Sequence, residues 1–186
     1  MPFFTLIELL HLLILTLAIG YIFSGYIKDP SHRLFHRGFN LQDFKFALLV
    51  SAPGVVLHEL GHKFVALLLG LGAVFKVWFP GLGIAIFLKL INSPFLIIAP
   101  GFVLISGEST QLKTAITAFA GPAINLILWG AASLVLDKAR KLTKRQATIL
   151  YLTKKINLFL FIFNMIPIPP LDGSKVLFGL INFIFS

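Results

Sequence analysis

Long apolar runs decide what this chain can become. Four segments, roughly 3–27, 44–70, 112–136 and 147–171, are long and apolar enough to cross a bilayer as helices. A backbone inside hydrocarbon must satisfy its own hydrogen bonds, so a helix is the expected form of each. Lys154 and Lys155 interrupt the last segment, and its embedded part is expected to begin near Ile156. Composition agrees: of 186 residues, 58% are hydrophobic and 12% charged, where a soluble domain carries about a quarter charged. Residues 1–27 lack the basic start and small-residue cleavage pattern of a signal peptide and read as a retained span. The expectation is a mainly α, polytopic protein of the membrane (the cell membrane, in a prokaryote), built as a single domain over 1–186 with four to five transmembrane helices. The tail 174–186, SKVLFGLINFIFS, is too short for an ordinary span.

The stretch 73–109 has a different texture. Its apolar runs are short, rich in β-branched and aromatic residues, and broken by Pro-Gly, Leu-Gly and Ser-Pro. These are turn signals between strands, and they predict a small membrane-associated sheet of two to four strands. Two short helical pieces dipping into the bilayer are the alternative.

The net charge is +9, with the basic residues beside apolar segments, in the loops 28–45 and 138–155. That is the pattern of membrane-flanking charge, and it puts both loops on one side, with Lys76, Lys89 and Lys113 opposite. No solvated basic face suggests nucleic-acid binding. There is no cysteine, so a metal would have to be held by His, Asp or Glu.

The second apolar segment contains His58-Glu59-Leu60-Gly61-His62. On a helix, positions i and i+4 share a face, so both imidazoles can bind one ion. Glu59 lies beside that face, placed to take a proton from a water that the metal activates. Zinc suits such a donor set, with one coordination position left open. Titratable groups at membrane depth are costly and are usually functional or paired. A third ligand is required. Among the remaining acids, Asp172 alone ends an apolar helix inside an unusual rigid run, NMIPIPPLDG at 164–173. Its three prolines and Gly173 would unwind the helix and present Asp172 sideways. Equal depths along the two helices require spans two and four to run parallel.

Asn125, in the GPAIN run at 121–125, and Asn164 are amides that can serve a developing oxyanion or a substrate carbonyl, or simply bond between helices. His32 and His36 also show i,i+4 spacing but sit in a basic loop without an acid in the pattern. Glu8 and His11 are expected near an interface or paired with each other, and Asn157 packed between helices.

The motifs HELGH, GPAIN and NMIPIPPLDG, in this order over roughly 44–180, make the chain resemble the site-2 proteases, zinc intramembrane metalloproteases of peptidase family M50. The resemblance implies His58, His62 and Asp172 as ligands of one zinc ion per chain, and Glu59 as catalytic base. It implies Asn125 and Asn164 as substrate-positioning or oxyanion residues. It further implies a single-span membrane protein as substrate, unwound and strand-paired with the 73–109 region within the lipid bilayer. No PDZ or CBS module is present. The alternative is a transporter-like or non-catalytic membrane protein using the same buried cluster; a transporter would need further polar residues along its path, and the other spans carry few.

Overall fold

A computed structural model of the chain describes residues 3–30, 39–93 and 101–185. The His32/His36 pair lies outside them. The elements are α1 (Leu6–Phe23), α2 (Leu41–Leu68), β1 (Gly72–Val77), α3 (Phe79–Leu90), β2 (Gly101–Ser106), α4 (Gln111–Lys138), α5 (Lys144–Asn164) and α6 (Asp172–Ile184). The starts of α1, α2, α4 and α5 are set by side chains that take up orphan backbone amides. Thr5 caps α1 and Thr143 caps α5, each in a capping box, and Asn40 and Thr110 cap α2 and α4.

Three of these helices, α1, α2 and α4, are long and apolar enough to cross a membrane. The fourth apolar segment forms a helix that ends earlier than expected: α5 stops at Asn164 rather than continuing to 171, and it carries Lys154, Lys155 and Asn157. A proline-rich turn follows, and Asp172 opens α6 instead of ending the preceding helix.

Helices α2 and α4 run antiparallel. Lys113 Nζ donates to Leu69 O at one end, and Asn125 Nδ2 donates to Gly54 O midway. Close approach is permitted by Gly61, where a Cβ would stand 2.9 Å from Ala120 O. Helix α5 runs parallel to α2, as the depth argument required: Arg145 lies over the Phe46 ring, and Asn157 lies against Gly54. The loops before α2 and α5 therefore share one end, joined by Arg145 Nε to Asp29 Oδ2 at 3.2 Å. Lys89 belongs to that end too, not the opposite one, with its ammonium over the Tyr21 ring and 3.4 Å from Ser24 Oγ.

The sheet has two strands among the described residues, paired antiparallel from Gly72↔Ser106 to Val77↔Gly101. Ala73, Phe75 and Val77 turn their side chains inward, and Phe75 and Val77 join Leu15, Ile19, Ile22 and Val55 in the main apolar core. Between the strands, residues 79–90 form a helix, a correction to the strand reading of that stretch. The Pro-Gly at 80–81 starts α3 rather than breaking a strand, because proline fits the first helical turn, where no amide donor is needed.

Gly20 lets α1 and α2 touch: a Cβ there would lie 2.8 Å from Leu48 Cβ. Gly20→Val is expected to cost about 1–3 kcal/mol through overpacking, seen as a lower unfolding midpoint in detergent.

Candidate metal centre

His58 and His62 sit one turn apart on α2 and point the same way, as helical spacing demands. Their Nε2 atoms are 3.1 Å apart, and each lies 3.2 Å from Asp172 Oδ2. One ligand atom from each of the three residues falls within a 4.8 Å cluster. Both histidines are buried and Asp172 nearly so.

The outer contacts fix the tautomer that each neutral ring adopts. His62 Nδ1 lies 2.8 Å from Thr117 O, a carbonyl that can only accept, so this nitrogen donates. Asn157 Nδ2 donates to Thr153 O, which leaves Asn157 Oδ1 to accept from Asn125 Nδ2 at 2.9 Å. Asn125 Nδ2 also donates to Gly54 O at 2.9 Å. Asn125 Oδ1 is then the atom facing His58 Nδ1 at 2.6 Å, so His58 donates there as well. Both Nε2 lone pairs therefore point inward, at each other and at a carboxylate. Three acceptors face one another in a buried space, an arrangement that calls for a cation among them. Two imidazoles and one carboxylate form a zinc-type donor set with room for a fourth ligand. Outer-sphere acceptors on ligating histidines have the same logic, since they set ring orientation and basicity.

Two further features fit a metal. Gly121 of α4 faces the rings, and a Cβ on it would sit 2.7 Å from His58 Nε2 and closer still to His62 Nε2. Any side chain would fill the place of the ion. Glu59 is buried beside the cluster, and its Oε2 has no hydrogen-bond partner among the described residues. An orphaned carboxylate oxygen at this point is suited to a water molecule held between it and the ligands.

Asp172 reaches the cluster through the turn that follows α5. Proline at 167, 169 and 170 leaves few amides to satisfy, and Ile168 N and Leu171 N bond to Ile166 O and Ile168 O. Gly173 packs its bare Cα against the Met165 and Ile166 carbonyls, where a Cβ would collide. Asn164 is not part of the cluster: its Nδ2 donates to Leu160 O, one turn back in α5. Glu8 pairs with Lys63 rather than with His11, and the Nδ1 of His11 lies 3.5 Å from Phe75 O.

The sequence reasoning missed Thr117 and the pairing of Lys63. Thr117 acts through its backbone, which no side-chain pattern announces. Lys63 had a signal: a lysine inside an apolar helix needs a counter-charge, and Glu8 is an acid in another apolar segment.

Residues 132–186, which include the proline-rich turn and Asp172, match the model of peptidase family M50. Over 175 residues the chain is 34% identical to a Methanocaldococcus jannaschii protein described as "putative zinc metalloprotease", covering 91% of this chain and 83% of that one. A Synechocystis protein of the same description is 37% identical over 131 residues, 70% of this chain and 30% of the other. No solved structure matches.

Asn125→Leu removes the acceptor that orients His58. Metal affinity is expected to fall about 10–100-fold, measured by competition with a chromogenic chelator. An unchanged affinity would show that Asn125 does not act through His58.

Proposed function

We propose, from the premise that this chain belongs to peptidase family M50, that it is an endopeptidase cutting peptide bonds inside the membrane. Membership makes it a zinc metalloprotease and an integral membrane protein. The intramembrane site of action, the multi-pass topology, the cell membrane of a prokaryote as its location, the substrate and the role of each residue are our reading. One observation carries it: two proposed ligands and the proposed base sit within α2, a helix long and apolar enough to cross the bilayer.

In this reading His58, His62 and Asp172 hold one zinc ion per chain. Zinc held there supplies Lewis acidity, polarising a carbonyl and acidifying a water molecule. The work of the chain's own groups follows from their positions. Glu59 Oε2, which lacks a partner among the described residues, accepts a proton from the attacking water as the new C–O bond forms. It then delivers that proton to the leaving amide nitrogen as the C–N bond breaks. Asn125 has both amide hydrogens engaged, so we assign it to orienting His58 rather than to an oxyanion. Asn164 keeps the substrate-facing role. It sits at the end of α5, where the turn to Asp172 begins, and one of its amide hydrogens makes no bond among the described residues.

The substrate proposed is a single-span membrane protein. A helix hides its peptide bonds in its own hydrogen bonds, so the substrate must become extended before water can attack. A sheet edge in the 73–109 region would replace the bonds that unwinding removes.

Glu59→Gln keeps the shape of the side chain and removes its basicity. Cleavage of a single-span substrate in detergent or liposomes is expected to fall about 10²–10⁴-fold. Zinc content should be unchanged. Cleavage that persists at the wild-type rate would remove Glu59 as the base.

A further inference from the structure

Lys63 follows His62 directly and is 1% exposed, as is Glu8 on α1. Their side chains form an ion pair, and the Glu8 Oε1 that receives Lys63 also accepts Phe75 N at 2.8 Å. Lys63 Nζ donates in addition to Ala73 O at 2.9 Å. Glu8 Oε2 accepts from Thr5 N at 3.0 Å and from Thr5 Oγ1 at 3.2 Å, and the ammonium lies 5.2 Å from the Phe4 ring centroid. His11 Nδ1 adds a longer contact to Phe75 O.

The contacts to Ala73 and Phe75 all fall on one edge of β1. Along an antiparallel strand, backbone groups point alternately to either side. Ala73 and Phe75 point toward Lys63, Glu8 and His11, so Gly72, Val74 and Lys76 are the residues that bond to β2. By the observed register their partners are Ser106, Leu104 and Phe102. Gly101, Val103 and Ile105 then turn their backbone groups away from β1. One edge of the sheet is thus closed by charged side chains from α1 and α2, and among the described residues the other edge belongs to β2. A charged pair placed to cap an edge strand also prevents unwanted pairing there.

We infer that the Lys63–Glu8 pair is a positioning clamp: it closes the β1 edge and ties the sheet to the helix turn carrying His62, fixing the register in which an extended substrate on the β2 edge meets the metal centre. The inference rests on the proposed proteolytic reading. Lys63 and Glu8 touch no reacting atom; they act through the strand. The buried pair is a direct side-chain link from the helix turn carrying His62 to the sheet, since Lys63 follows His62 and its ammonium bonds Ala73 O of the strand itself.

The test is the distribution of cut sites, read by mass spectrometry of products from one single-span substrate. The variant is Glu8→Gln with Lys63→Met, which removes both charges without leaving either one buried alone. Wild type is expected to cut mainly at one bond. In the double variant, new products are expected about two residues from it, because strand pairing slips in steps that preserve the side-chain faces. Zinc content should match wild type, and amide exchange at Phe75 should accelerate. A purely structural role would slow cleavage without moving the site. An unchanged pattern of products at any rate would therefore overturn the clamp. Should the double variant fail to fold, Lys63→Arg, which keeps the charge but lengthens the link, is expected to shift the cut in the same way, and an unshifted cut would overturn it. If wild type itself cuts nothing, the proteolytic reading fails, and the clamp as a register device fails with it.

Discussion

Two imidazole nitrogens and a carboxylate oxygen face one another in a buried space, and the rest of the molecule is arranged around that conflict. As a neutral ring, each histidine directs its one hydrogen outward, to Thr117 O or Asn125 Oδ1. What remains inside is three lone-pair acceptors about 3 Å apart. Unpaired, such a group costs on the order of several kcal/mol to bury. A divalent cation turns the same geometry into a binding site. The demand then propagates: Gly121 must lack a side chain, α4 must approach α2 closely, and the chain after α5 must turn sharply enough for Asp172 to reach inward.

A second layer of amides holds this layer still. Thr153 O, Asn157, Asn125 and His58 form a line of hydrogen bonds from α5 through α4 to α2. Each member fixes the orientation of the next, so the tautomer of His58 is determined two helices away. Asn125 and Asn157, at the middle of that line, are both buried. Its net contribution is about 1 kcal/mol per bond, but the larger effect is uniqueness of arrangement. The buried Lys63–Glu8 pair does for the sheet what the amides do for the ligands. It costs desolvation and returns a fixed geometry.

Much of the site was legible in the sequence because its chemistry is local. The HELGH run places two imidazoles and a carboxylate by helical spacing alone. Asp172 stood out because prolines and a glycine surround it in a chain otherwise built of apolar helix. The three helices that can cross a membrane were visible as hydropathy. Other features were hidden for physical reasons. Residues 79–90 carry the same short apolar texture as a strand, and the Pro-Gly at 80–81 serves a helix start as well as a turn. The end of α5 was read too far along because its apolar run continues through Ile166 and Ile168, whereas the prolines stop the hydrogen-bond ladder. The partners of Asn125 and Lys63 lie on other helices, and no spacing rule brings residue 8 to residue 63 or residue 125 to residue 157.

The central claim is that α2 and α6 deliver their ligands to a single ion. Its most direct test is the zinc content of purified protein, wild type beside Asp172→Ala. One zinc per chain in the wild type, lost or much weakened in the variant while the helical content is kept, is the predicted result. Wild-type protein without zinc, or zinc held equally well by Asp172→Ala, would contradict the account by breaking the link between the two helices.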